Sequence, residues 1–211
     1  MRTIDLSTWP RREQFSKFIG FSYPHFNLCA NVDLSVFLPA IKDQGVSPTV
    51  AIVYLIARVA NDLTEFRWRI RGEQVVEHET VHPSATILAK DDLFSFCMVP
   101  YTPDFPAFAA DARQRIDHAK ENPTLQDEPG QDNLLFMTAI PWVSFTSFMH
   151  PIHLQPVDSV PRFAWGKFTQ KGDGWSMPLS VQVHHALMDG IHVARYYERF
   201  QGYLDQPGSY L

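Results

Sequence analysis

A pair of adjacent histidines followed by an aspartate is the clearest chemical signal in this sequence. The segment VHHALMDG occupies residues 183–190, and its first residue ends the alternating stretch LSVQV at 179–183. A histidine at the end of a strand is held firmly and opens onto a cleft, and free imidazole titrates near neutral pH. We therefore predict that His185 is a general base, removing a hydroxyl or thiol proton during attack on an acyl group.

Asp189 can either orient the imidazole or pair with a cation and hold the turn, and the nearest cation in sequence is Arg195. A metal site built from His184, His185, Asp189 and His192 is disfavoured, because adjacent strand residues point to opposite faces. A further alternative makes both histidines ordinary strand residues before a helix cap. The sequence contains no Gly-x-Ser-x-Gly, no phosphate-binding glycine loop and no Cys-x-x-Cys.

Composition narrows the class of protein. The chain has 211 residues, 45% of them hydrophobic, which predicts one domain over residues 1–211. The net charge of -5 and the lack of a basic cluster argue against nucleic acid and membrane partners. The apolar run 50–60 is interrupted by Arg58 and is too short to cross a bilayer. With no signal-like N-terminus and two cysteines, Cys29 and Cys97, we expect a cytoplasmic protein with free thiols.

The elements that must position His185 are strands and helices in irregular order. Strands are predicted at 26–33, 66–77 (two strands around a turn at Gly72), 86–88, 94–100, 134–140, 163–169 and 175–183. Helices are predicted at 8–20, 35–45, 48–60, 106–122 and 190–203, with a loop at 124–132. This order predicts an α+β fold with helices on a largely mixed sheet.

Several blocks of the sequence, taken together, resemble the chloramphenicol acetyltransferase family. The histidine segment, with PLSVQV before it and IHVAR after it, resembles the family's main signature, and PWVSFTSF at 141–148 resembles its second. IDLSTW at 4–9 with Arg11, EFR at 65–67 and VHP at 81–83 are similar to further blocks. The blocks follow in order along nearly the whole chain, whereas the histidine motif alone also occurs in acyltransferases of the dihydrolipoamide type.

The resemblance implies a fold, an assembly and a reaction. The fold would be an α+β two-layer sandwich, a mixed sheet with helices packed on one side. The chain would form a homotrimer with active sites at subunit interfaces, and would use acetyl-CoA as co-substrate with no metal and no prosthetic group. In a ternary complex without an acyl-enzyme, His185 would deprotonate a hydroxyl of chloramphenicol, which then attacks the thioester. The role implied is antibiotic resistance.

The resemblance also assigns residues around the base. Asp189 would pair with Arg11, near the N-terminus, and hold the histidine loop. Thr138 stands where the family usually has a serine whose hydroxyl serves the oxyanion, and threonine keeps that hydroxyl. Ala164 stands where the family has a threonine that helps to hold a water.

The remaining assignments concern the two substrates. Coenzyme A would contact Trp142 and Phe168. Ser22 and His150 stand where at least one branch of the family has leucines, and polar groups in an apolar wall need hydrogen-bonding partners. Either the acceptor is more polar than chloramphenicol, or these side chains point elsewhere. The replacements near the oxyanion, Thr138 and Ala164, leave open a third possibility, a ligand-binding homologue that has lost activity. The acceptor wall is expected to contain Phe18, Ser22, Phe94, Leu125 and His150.

Overall fold

The computed structural model describes residues 1–126, 130–156 and 158–211. The strands in this part of the chain are β1 (Arg2–Thr3), β2 (His25–Asp33), β3 (Trp68–Arg71), β4 (Gln74–Glu77), β5 (His82–Leu88), β6 (Phe94–Met98), β7 (Leu134–Ile140), β8 (Arg162–Gly166), β9 (Thr169–Lys171) and β10 (Gly174–His184). The helices are α1 (Arg12–Phe18), α2 (Phe37–Asp43), α3 (Pro48–Asp62), α4 (Phe105–Glu121) and α5 (Gly190–Asp205).

A mixed sheet of seven strands carries the fold. Its order is β2-β10-β8-β7-β5-β6, and β9 pairs with β10. The pairs β5–β7 and β7–β8 are parallel, and the other pairs are antiparallel. A small second sheet has the order β1-β4-β3. The prediction of an α+β fold around a mixed sheet is confirmed.

The strand that leads to the base, β10, is buried on both faces. Leu179, Val181 and Val183 belong to the apolar core that the sheet shares with α3 and α5. Side chains alternate along a strand, so Ser180 and Gln182 project from the opposite face, where they are 1% exposed.

Residues 148–150 lie against that opposite face. The Ser180 hydroxyl donates to the Phe148 carbonyl oxygen at 2.9 Å. The Gln182 side chain accepts from the His150 backbone N–H at 2.8 Å and donates to the His150 carbonyl oxygen at 3.4 Å. Because both faces are covered, β10 is a rigid support for the residues that follow it.

Several predicted boundaries were wrong. The helix predicted at 8–20 spans only Arg12–Phe18, because Asp5 holds the preceding residues in a turn through Ser7. The first strand predicted in 66–77 begins at Trp68, after a 3₁₀ turn at Thr64–Arg67.

The strand predicted at 163–169 is interrupted after Gly166. A Cβ on Gly166 would lie 2.8 Å from the Val143 carbonyl oxygen and 2.7 Å from a Pro178 side-chain atom. The close passage of segment 141–148 therefore ends β8, and Phe168 falls between β8 and β9. The strand predicted at 86–88 starts earlier, at His82, and β1 was not predicted. Part of the loop predicted at 124–132 lies outside the described residues.

Candidate active site

His185 lies immediately after β10, at the start of the turn that leads into α5. Its backbone N–H donates to the Pro24 carbonyl oxygen at 2.7 Å. The ring of Phe18, from the end of α1, stacks on the imidazole with centroids 3.9 Å apart and planes 7° apart. Phe26 packs at 4.9 Å on a tilted plane. The side chain remains 35% exposed while Nδ1 is buried, so the accessible edge is the one that carries Nε2.

Asp189 forms a two-pronged ion pair with Arg11. The Arg11 Nη1 and Nη2 atoms lie 2.5 and 3.1 Å from the two carboxylate oxygens, and Nη2 is 3.5 Å from the His185 carbonyl oxygen. Arg11 lowers the pKa of the Asp189 carboxyl, mainly through these hydrogen bonds. Arg195, the nearest cation in sequence, is exposed on α5. The pairing that the resemblance implied is the one observed.

Asp189 also lies close to the imidazole, but without the geometry of a hydrogen bond. Its Oδ1 is 3.3 Å from His185 Nδ1, and that nitrogen is buried with no partner among the described residues. The well-formed hydrogen bonds of the carboxylate therefore go to Arg11. This geometry fits a residue that fixes the shape of the turn.

A second contact at this turn was not anticipated from the sequence. The Asp189 backbone N–H donates to His192 Nδ1 at 2.9 Å, and His192 Nε2 lies 3.8 Å from Glu65 Oε1. From the sequence, the role considered for the His192 side chain is that of a metal ligand. Its place three residues after the helix N-cap, where Glu or Gln commonly accepts a hydrogen bond from the N-cap N–H, is the signal that could have revealed it.

Thr138 lies far from His185 within one chain. It sits on β7 opposite Ala164 of β8, which in turn pairs with Ser180 of β10. His185 is therefore five residues along and two strands across from Thr138. With a rise of about 3.3 Å per residue and about 4.8 Å between strands, the two Cα atoms are on the order of 20 Å apart. The Thr138 hydroxyl lies 3.4 Å from that of Thr86.

Among the predicted acceptor residues, Phe18 contacts the base in the same chain. Ser22 is exposed in the segment after α1, and Phe94 is exposed on the edge strand β6. Leu125 is exposed next to Thr124, whose carbonyl oxygen accepts from the Phe96 N–H at 2.8 Å. Phe94 and Leu125 therefore lie at the edge of the sheet far from His185, since β6 is the last strand in the order and β10 is the second.

The two predicted coenzyme contacts, Trp142 and Phe168, are carried by neighbouring segments. A hydrogen bond of 3.0 Å from the Lys167 N–H to the Val143 carbonyl oxygen joins the segments that carry Phe168 and Trp142. Trp142 is 64% exposed, whereas Phe168 is partly buried against the core.

His150 belongs to a buried polar cluster on the face of the sheet away from the helices. His150 and His25 each bury both ring nitrogens without a partner among the described residues, as His184 does its Nε2. Burial lowers the pKa of His150 to about 4 and that of His184 to about 3. Arg162 and Asp158 form an ion pair in this cluster. Apart from His150, the sequence reasoning did not find this cluster.

The described ranges contain neither a cluster of metal-ligating side chains nor a membrane-spanning helix. Within them, no three His, Cys, Asp or Glu side chains are arranged to hold a metal ion. No helix in the same part of the chain is both long and apolar enough to span a membrane.

Comparisons with known proteins place the chain in a family. The family model described as chloramphenicol acetyltransferase matches residues 1–201. A chloramphenicol acetyltransferase of Klebsiella sp is 33% identical over 207 residues, covering 97% of this chain and 94% of the relative. Chloramphenicol acetyltransferase 3 of Escherichia coli is 31% identical over 201 residues, covering 94% of each.

Solved structures agree with this placement. A chloramphenicol acetyltransferase superposes with a TM-score of 0.85 at 26% identity, covering 96% of this chain and 99% of that one. The dihydrolipoamide acetyltransferase of Azotobacter vinelandii shares the fold, with a TM-score of 0.69 at 16% identity over 92% of this chain and 88% of that one. The fold is that of the CoA-dependent acyltransferases. The chain belongs to the chloramphenicol acetyltransferase family and is an acyltransferase.

Proposed function

We propose that this protein transfers an acetyl group from acetyl-CoA to a hydroxyl of chloramphenicol, with His185 as the general base. The observation that carries the proposal is the orientation of the His185 imidazole, which stacks on Phe18 and leaves its Nε2 edge accessible. The ion pair between Arg11 and Asp189 holds the turn that presents it. Residues 1–211 would act as one domain, and antibiotic resistance would be the biological role.

The reaction would run in a ternary complex without an acyl-enzyme. His185 Nε2 takes the proton of the acceptor hydroxyl as its oxygen attacks the thioester carbonyl. The tetrahedral intermediate carries an oxyanion, to which the Thr138 hydroxyl donates a hydrogen bond. The carbon–sulfur bond then breaks, and the imidazolium returns the proton to the departing thiolate, which leaves as CoA.

A base and an oxyanion donor on the order of 20 Å apart cannot serve the same carbonyl within one chain. We therefore propose a homotrimer in which His185 of one protomer faces Thr138 of its partner. Exposed large apolar side chains support such an interface, because an uncovered apolar patch commonly marks a contact surface. They include Phe94, Leu125, Trp142 and Met149.

Acetyl-CoA would bind as co-substrate along the exposed ring of Trp142 and the neighbouring Phe168. Phe18, Ser22, Phe94, Leu125 and His150 would form the acceptor wall, with some contributed by each protomer. We place the protein in the cytoplasm, and its two cysteines are free thiols in the structure.

A different, more polar hydroxyl acceptor is the alternative. His150 is a buried imidazole with no partner for either ring nitrogen among the described residues, and Ser22 is a second polar residue of the expected wall. Ala164 also lacks the hydroxyl that the resemblance led us to expect there. The alanine at position 164 is also the observation behind a second alternative, in which the protein binds its ligand but has lost activity.

An acceptor panel tests the proposal and separates these alternatives. Free CoA is measured after mixing the protein, acetyl-CoA and a set of hydroxyl acceptors that includes chloramphenicol. We expect His185→Ala to reduce turnover by at least about 100-fold, the usual minimum for losing a general base. His118→Ala, which removes an exposed histidine on α4, is the control and should leave turnover unchanged.

Each outcome of the panel selects one function. Unchanged turnover in His185→Ala would rule out the mechanism. Chloramphenicol as the best acceptor by a wide margin would rule out the more polar acceptor. Ligand binding without CoA release from any acceptor would indicate a binding protein.

A further inference from the structure

We infer that His192 and Glu65 are positioning residues for the turn that carries the base. His192 Nδ1 accepts a hydrogen bond of 2.9 Å from the Asp189 backbone N–H, and its Nε2 lies 3.8 Å from Glu65 Oε1. His192 follows the N-cap residue Asp189 at the third helical position of α5. The inference rests on the proposed function, since it concerns the orientation of His185 as a base.

The hydrogen bond fixes the form of the His192 ring. A backbone N–H can only donate, so Nδ1 must carry a lone pair, and a neutral imidazole then has its proton on Nε2. Burial favours this neutral form by lowering the pKa of His192, an effect that Glu65 opposes and Arg11 reinforces. The Nε2 proton is on the side of the Glu65 carboxylate. Glu65 therefore favours the tautomer that leaves Nδ1 free to accept.

His192 and Arg11 hold Asp189 by different atoms. Arg11 binds the carboxylate, whereas His192 binds the backbone N–H of the same residue. Asp189 is four residues after His185, so fixing both its side chain and its backbone limits how the whole turn can rotate. An imidazole held only by Phe18 and by its own backbone could still tilt away from the acceptor hydroxyl, which costs rate without weakening substrate binding.

Glu65 reaches this site from a separate element. It lies in the 3₁₀ turn Thr64–Arg67, which directly follows α3. Its side chain is 23% exposed and that of His192 is 11% exposed, so the pair is shielded from most of the solvent. A distance of 3.8 Å is longer than a direct hydrogen bond, so the contribution of Glu65 is electrostatic and should be smaller than that of the Asp189–His192 bond.

Substitutions at position 192 test the inference, because they distinguish a side chain that accepts the Asp189 N–H hydrogen bond from one that only packs. His192→Ala removes the acceptor and should lower kcat by about tenfold, roughly the effect of one hydrogen bond. KM for both substrates should stay within about twofold, because no group that touches substrate has changed. His192→Gln places an amide oxygen where the N-cap N–H can use it, and should keep kcat within about threefold.

Two further variants complete the set. Glu65→Gln keeps the size of the side chain and removes its charge, and we expect a fall in kcat of about threefold, less than in His192→Ala. Glu198→Ala changes an exposed residue on the same helix and controls for altered helix propensity. Glu198→Ala should have the kcat of the wild type.

Amide hydrogen exchange gives a reading that does not require activity. In His192→Ala the peptide covering residues 185–190 should exchange about tenfold faster than in the wild type, whereas in His192→Gln it should not. Wild-type kcat and exchange in His192→Ala would overturn the inference, as would equal losses in His192→Ala and His192→Gln. If the wild-type protein acetylates no acceptor, the proposed function fails, and the exchange rates alone still decide whether His192 holds the turn.

Discussion

The turn that follows strand β10 and the sheet face away from the helices differ in how their polar groups are bonded. At the base turn, residues 185–189, the backbone of His185 is bound by Pro24, and Asp189 is bound by Arg11 and His192. On the face of the sheet away from the helices, His25, His150 and His184 bury five ring nitrogens without partners among the described residues. The base turn is fixed by bonds to its backbone and to the Asp189 carboxylate, although His185 Nδ1 has no partner among the described residues. The other region leaves most of its buried imidazole nitrogens unsatisfied.

This difference indicates that the base turn is the fixed part of the site, and that the buried histidines near the expected acceptor wall are where the acceptor specificity of this chain can differ. A base needs one orientation, so its turn is held from several elements at once. The unsatisfied imidazoles lower stability, because a buried polar group without a hydrogen bond loses its hydration and gains nothing in return. Histidines that cost stability and lie beside the expected acceptor wall support the alternative of a more polar acceptor.

The largest effect after loss of the base is expected at Thr138. Thr138→Val keeps the shape of the side chain and removes the hydroxyl, and kcat should fall about 100-fold, as for the loss of one oxyanion donor. Thr138→Ser is the matched control and should stay within a fewfold of wild type. Steady-state kinetics with saturating acetyl-CoA measures both. Equal rates in Thr138→Val and wild type would remove Thr138 from the reaction.

An intermediate effect is expected at the ion pair of the base turn. Asp189→Asn leaves the Arg11 guanidinium, 12% exposed, without its countercharge, and should lower kcat about tenfold and the melting temperature by a few degrees. Arg195→Ala should change neither, because Arg195 is exposed and Asp189 pairs with Arg11. Kinetics and thermal melting compare the two. A larger loss in Arg195→Ala would show that the wrong cation was assigned.

The smallest expected effect is a pH dependence of stability, which arises from His150 and His184 on the sheet face away from the helices. Burial lowers the pKa of His150 to about 4 and that of His184 to about 3, from the 6.5 of an unburied histidine. Between about pH 6.5 and about 4 the unfolded chain therefore binds more protons than the folded one, so stability falls as the pH falls through that window.

Melting temperatures between pH 7.5 and 4.5 check this expectation, and His150→Leu supplies the comparison. Replacing an unpartnered buried imidazole by an apolar side chain should raise the melting temperature at pH 7.5 by a few degrees and make its fall toward acid pH shallower. A lower melting temperature in His150→Leu, or an unchanged slope, would show that this imidazole has a partner in solution.

The base turn was easier to predict from the sequence than the polar face, by which we mean the sheet face away from the helices that carries His25, His150 and His184. The position of His185 followed from local information, since an alternating strand, a turn and a helix stand within about twenty residues. The Arg11 partner came only from the family resemblance, because 178 positions separate it from Asp189 and spacing carries no trace of that contact.

The polar face was largely missed because it depends on contacts between distant segments. His25 and His184 are brought together by the register of β2 and β10. His150 lies outside the strands and reaches them through the hydrogen bonds of its backbone with Gln182. Gly166, the last residue of β8, is a similar case. A glycine inside a strand can indicate the close approach of another backbone, but nothing in β8 identifies segment 141–148 as the one that passes over it.

Mixed oligomers test most directly the claim that His185 of one protomer serves Thr138 of another. His185→Ala and Thr138→Val protein are each prepared, unfolded together in equal amounts, refolded and assayed for CoA release. If the two residues act across an interface, about a quarter of the sites receive both wild-type residues, and activity should rise well above that of either variant. If they act within one chain, no wild-type site can form, and activity that stays at the level of the separate variants would contradict the account.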